Sequence, residues 1–149
     1  MHRSSNPHTF FSKAEEIRII EAIKTAENST SGEIRVHLER KISGDIMNFA
    51  VKIFEKLGMA NTNERNGCLI LLDLTNRKFA IIGDKGINDK VDAGFWNEAA
   101  TIMTQSFKQN DFAGGLCAAI LKIGEKLKNF FPHQQNDINE LPDELSKSE

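Results

Sequence analysis

The sequence predicts an α/β fold, an α/β/α sandwich in which helices flank a small mixed β-sheet. Three observations carry that reading. Residues 33–40 alternate strictly between apolar and polar side chains, the period of a strand with one buried face. Residues 68–72 form an unbroken apolar run, which suits a central strand covered on both faces, and residues 78–82 return after a short turn as its hairpin partner. The remaining segments space their apolar residues at the helical period.

The first helix starts at Ser12, because Ser12 and Glu15 form a capping box in which hydroxyl and carboxylate each satisfy an orphan backbone amide. Ile17, Ile20, Ile23 and Glu27 then follow one another turn by turn, and the polar residues 28–32 end the helix. After the alternating strand, Ile46, Phe49, Ala50, Ile53, Phe54 and Leu57 predict a second helix, with Gly58 as its C-terminal cap. The hairpin turn is residues 74–77. Beyond the loop 83–89, Trp96, Ala99, Met103 and Phe107 mark one helix. Leu116, Ile120, Ile123, Leu127 and Phe130 mark another, which Pro132 stops. A helix joining two strands of one sheet makes a right-handed parallel crossover, so the hairpin strand is antiparallel.

Residues 10–131 thus form one domain, preceded by a flexible N-terminus over 1–9. Residues 132–149 hold few large apolar groups and are rich in Asp, Glu, Asn and Gln, so a mostly disordered acidic tail is expected.

Composition narrows the function. A chain of 149 residues with 40% hydrophobic and 27% charged residues is neither collagenous, coiled-coil nor wholly disordered. A net charge of −2 gives no general electrostatic reason for a nucleic-acid or anionic-membrane partner. No apolar run approaches the roughly 18 residues needed to span a bilayer, and the N-terminus has no apolar stretch behind its positive charge. A soluble cytoplasmic monomer without membrane insertion is expected. Cys68 and Cys117 share no metal-type spacing and read as small buried hydrophobes. His37, on the polar face of its strand, reads as a surface histidine, and Trp96 as a core anchor.

The strand directions assemble one candidate site. Glu33 and Asn66 start parallel strands, and the hairpin strand ends at Asp84, so all three arrive at the same end of the sheet, while Asp73 goes to the other. The loop past Asp84 adds Asn88, Asp89 and Asp92. Converging carboxylates without matching lysines are what Ca²⁺ or Mg²⁺ binding demands. The bland reading is that Asp89 or Asp92 caps the next helix and Glu33 is a solvated edge charge. Residues 82–87 also carry a glycine–x–x–glycine loop, but a strand leads into it and an aspartate within it repels phosphate. Walker, HExxH and nucleophile-elbow motifs do not occur.

Four segments together resemble the TPM domain family: residues 31–36 (SGEIRV), 65–72 (RNGCLILL), 77–86 (RKFAIIGDKG) and 110–116 (NDFAGGL). The likeness spans roughly residues 10–131, and the hairpin is its most specific part. It implies an α/β/α sandwich with a short mixed sheet, binding of a divalent cation through loop aspartates and, in some members, acid phosphatase activity or a role in assembly of membrane complexes. Carried over by position, Asp84 matches the acidic residue after the hairpin and Asp111 the one before the last helix, while Glu33 and Asp89 fall where acidic or polar residues often sit. The expected metal set is therefore Glu33, Asp84, Asp89 and Asp111. The expected function is divalent-cation binding with metal-dependent phosphatase activity, or else a non-enzymatic interaction or assembly module with a protein partner.

Overall fold

In the computed structural model, which describes residues 3–133 and 139–148, the chain runs α1 (Lys13–Glu27), β1 (Glu33–Glu39), α2 (Ile46–Lys56), β2 (Gly67–Asp73), β3 (Lys78–Gly83), α3 (Lys85–Asn88), α4 (Asn97–Lys108), α5 (Phe112–Leu127) and β4 (Ser146–Lys147). The sheet order is β3-β2-β1-β4. β1 and β2 are parallel with Glu33 opposite Gly67, and β2 and β3 are antiparallel with Cys68 opposite Gly83. The α/β sandwich and the crossover of the sequence reading are both present.

The two faces of the sheet are unequal. Ile34, Val36 and Leu38 of β1, with Cys68, Ile70 and Leu72 of β2, pack against α1, α4 and α5 in the main core. Leu69, Leu71 and Ala80 face α2 in smaller clusters around Ile53, Phe54 and Ala50. All seven residues of β2 are buried, as an unbroken apolar strand requires when it has layers on both sides. Within α1 the capping box at Ser12 is present, but the buried stripe is Ile19, Ala22, Ile23 and Ala26, leaving Ile17 about half exposed. The stripe lies one residue from the one that spacing suggests, because two adjacent isoleucines offer equivalent periodic patterns.

Both chain ends make defined contacts with the body among the described residues. Residues 3–9, expected to be flexible, are held by the Arg3 guanidinium, which donates to Glu15 Oε1 and Oε2 at 2.8 and 2.7 Å and to the Phe10 carbonyl at 2.7 Å. Residues 139–148, expected to be disordered, lie along β1 as a strap. Ser146 and Lys147 pair with His37 and Leu38 in parallel, and Leu141 is buried against Ile53, Phe54, Met59 and Leu69. The strap has only two leucines of its own and takes its order from an existing edge and pocket, which composition does not reveal. The expectations for residues 1–2, 134–138 and 149 lie outside the described residues.

The strap also corrects His37. It is buried, 5% exposed, its Nδ1 lying 2.8 Å from Ser146 Oγ and its Nε2 2.8 Å from Glu39 Oε1. The alternation in β1 predicts one buried face; the other is buried as well at Glu33 and His37, where the strap lies against it.

Candidate functional site

Glu33, Asn66 and Asp84 do meet at one end of the sheet, as the strand directions require. Glu33 opens β1 beside Gly67, and the Asp84 amide donates to the Gly67 carbonyl at 2.9 Å. Glu33 and Asp84 are nevertheless separated by β2, and two strand spacings keep them about 10 Å apart.

Asp84 is fully engaged. Arg65 grips it as a fork, Nε to Oδ2 at 2.7 Å and Nη2 to Oδ1 at 2.8 Å, while Oδ1 also accepts from the Lys85 amide at 2.7 Å as the N-cap of α3. The turn presenting Arg65 has an uncommon φ of +50°. It is closed by Gly86, whose amide donates to the Arg65 carbonyl at 2.8 Å; a Cβ there would stand 2.0 Å from the Glu64 carbonyl oxygen. This close approach, which only glycine allows, explains the second glycine of the G-D-K-G sequence. Asp89 lies nearby but exposed, paired with Lys85 Nζ at 2.7 Å. Asp92 accepts from the Gly94 amide, and α4 begins at Trp96 without a side-chain cap.

Asp111 is not part of this end. It caps α5 by accepting from the Gly114 amide at 3.0 Å, and the adjoining Phe112 ring lies under Arg77 of the hairpin turn. The opposite end of α5 is the one that reaches the site, since Leu127 Cδ1 abuts Gly32. At 1.5 Å per residue the 16-residue α5 places Asp111 roughly 20 Å or more from Glu33. The expected quartet therefore divides into an engaged Asp84, an exposed Asp89, a remote Asp111 and Glu33. Among the described residues no three His, Cys, Asp or Glu side chains form a ready metal-holding group.

What stands around Glu33 instead is a cleft of about 370 Å³ between the end of α1, the start of β1 and the strap, lined among others by Glu27, Ser31, Glu33, His133 and Asp143. Glu33 is 3% exposed; its Oε1 accepts from the Leu141 amide at 2.5 Å, and its Oε2 is buried without a hydrogen-bond partner. Burial pushes the Glu33 carboxyl up to about 7, against backbone hydrogen bonds from Leu141 and Glu140 that lower it, with the Glu140 and Asp143 carboxylates adding repulsion. Glu27, the last residue of α1, accepts from the Ile34 amide at 3.0 Å. Burial, and then the hydrogen-bonded Asp143 carboxyl, push it up to about 9, so at neutral pH it holds a proton. The hydroxyls at this end are engaged: Ser31 Oγ donates to Glu64 Oε2 at 2.9 Å and Thr30 Oγ1 to the Phe131 carbonyl.

Sequence reasoning missed Glu27 and Asp143. Glu27 had a signal, since it is a carboxylate at a position of the α1 stripe where an apolar residue is expected. Asp143 had none, as nothing local announces that the strap folds back.

No helix among the described residues is long and apolar enough to cross a membrane. A family model described as TPM domain matches residues 5–126. Among solved structures, the chain is similar to the BA42 protein from the psychrophilic bacterium Bizionia argentinensis, with 43% identity, a TM-score of 0.90 and coverage of 97% of this chain and 99% of that one. It also resembles the N-terminal domain of a protein from P. gingivalis (21% identity, TM-score 0.67, covering 85% of this chain and 83% of that one). A third likeness is to the N-terminal domain of the cg2496 protein from Corynebacterium glutamicum (18% identity, TM-score 0.61, 93% of this chain and 80% of that one). The latter two bear on fold alone. No curated protein sequence matches the chain at a significant level.

Proposed function

The chain belongs to the TPM domain family, and on that premise we propose that it is a binding module that takes a divalent cation, Ca²⁺ or Mg²⁺, weakly in the cleft around Glu33. The observation that carries this is the Glu33 Oε2 atom, a buried carboxylate oxygen without a partner that lines a cleft shared with Glu27 and Asp143. A cation entering the cleft would take the place of the proton that Glu27 holds and complement the charge of Glu33 and Asp143, in competition with Lys24, which lines the same cleft. Glu33, Glu27 and Asp143 are the residues that would hold it, with waters completing the shell, as hard cations bound by few carboxylates require.

Asp84 is unsuited to the role because Arg65 already neutralises it, and Asp111 because it lies at the other end of α5. The reading is of a module rather than a phosphatase. Ser31 and Thr30 are committed as donors, Arg65 is committed to Asp84, and burial drives the Cys68 thiol far above its ordinary value. Among the described residues no side-chain hydroxyl or thiol near the cleft is activated as a phosphoryl nucleophile.

The test is a Ca²⁺ and Mg²⁺ titration followed by amide chemical shifts. Shifts are expected in residues 31–34 and 139–143, and Glu33→Gln is expected to abolish them while Asp84→Asn and Asp111→Asn leave them in place. Shifts centred on residues 84–89 or 110–114 instead would overturn the assignment.

A further inference from the structure

The strap over residues 139–148 is seated as a ligand is seated. It runs beside β1 in the same direction, with Leu141 level with Glu33 and Ser146 level with His37. Its backbone is fixed at the far end, where the Ser148 amide donates to the Leu38 carbonyl at 2.9 Å and Ser148 Oγ accepts from the Arg40 amide at 3.1 Å. Leu141 fills an apolar pocket formed by Ile53, Phe54, Met59 and Leu69, and Ser146 meets the buried His37 ring. Arg35 projects from the same strand with a buried, unpartnered Nε, and Glu144 of the strap is the acidic group whose field it feels.

A strand edge supplying main-chain bonds, a pocket selecting a leucine and a cation selecting an acidic residue are the parts of a receptor for an extended peptide. The seat belongs to the body of the fold. Among the described residues the ladder between strap and β1 extends over two residue pairs, the main core draws on the strap through the partly buried Leu145, and Lys147 pairs with Glu16 of α1 at 2.6 Å.

We propose that the outer edge of β1, with the leucine pocket beside α2, is a docking surface for an extended acidic segment of another protein. That segment carries a leucine followed by acidic residues and then a hydroxyl side chain, and residues 139–148 of this chain cover the surface in cis as a replaceable occupant. Tethered to the same molecule, the cover is present at a high effective concentration and excludes a free competitor. The partner's segment enters when the cover lifts. Because the strap supplies Asp143 to the cleft around Glu33, a cation bound there would hold the cover down, so the peptide titration is run without divalent cation.

The experiment uses the full chain and a fluorescent synthetic peptide spanning residues 139–148, with binding read by anisotropy. In the full-length double variant Leu141→Asp/Leu145→Asp the cover is released, and the peptide is expected to bind at least tenfold more tightly than to the unsubstituted chain. A peptide with both leucines replaced by alanine is expected not to bind. Equal binding to both proteins, or no binding to the variant, overturns the proposal. A dimer of the unsubstituted chain that the peptide dissociates overturns it too, because the occupant in trans is then a second copy. Should the double variant fail to fold, Ser148→Pro, which removes the amide bonded to Leu38, takes its place in the same titration with the same outcomes.

Discussion

Glu27 shows how one side chain can set the pH response of the whole domain. Its carboxyl rises from an ordinary 4.5 to about 9 in the folded state, so the native protein keeps a proton that the unfolded chain has released. The contribution of Glu27 to stability is therefore full below the unfolded value and declines as pH rises from about 4.5 towards 9; Glu33, raised to about 7, steepens the lower half of that window. Glu27→Gln copies the protonated group, keeps an acceptor for the Ile34 amide and is expected to flatten the decline. Thermal melts at pH 5, 7 and 9 check this, and a variant as pH-sensitive as the parent would refute it. At Asp111 a different outcome follows from its role as a helix cap. Asp111→Ala is expected to cost about 1 kcal/mol in urea unfolding, with the cation response unchanged. Gly86→Ala forces a methyl group onto the Glu64 carbonyl and is expected to cost about 1–3 kcal/mol.

Among the elements, the strap separates what local sequence encodes from what it does not. Burying a leucine contributes about 1.5–3 kcal/mol, while ordering each strap residue costs about 1–2 kcal/mol in backbone entropy alone. The strap is thus held marginally and opens before the rest of the fold. Leu141→Ala is expected to bring the Ser148 amide close to its unprotected hydrogen-exchange rate while amides in β2 stay protected; equal loss in both would mean that strap and body unfold together. The strands and long helices were legible because each carries its own period, as in the alternation of β1 and the apolar run of β2. The strap was not, because its two leucines acquire meaning only against Met59, Leu69 and the edge of β1, far away in the chain. The candidate site was legible to the same degree. Strand direction brought Glu33 and Asp84 to one end, but the fork from Arg65 depends on a backbone turn with φ of +50° that no spacing announces, and Asp143 arrives on the strap.

For the molecule as a whole, a ligand that binds only the folded state raises stability by mass action. Cation at ten times its dissociation constant is expected to add about 1.4 kcal/mol, a rise in Tm of roughly 3–6 °C for a domain of this size. Glu33→Gln should erase that rise, and a rise that survives the substitution would place the cation elsewhere. The unequal layering also has a temporal side. The strap meets residues 108 and 109 positions earlier in the chain, so during synthesis it emerges after the strands and helices it will cover have been made. Until the strap has emerged and docked, β1 is a bare sheet edge flanked by an empty leucine pocket, open to pairing with neighbouring nascent chains. The hazard of this architecture is therefore concentrated in the interval between the folding of β1 and β2 and the docking of the strap.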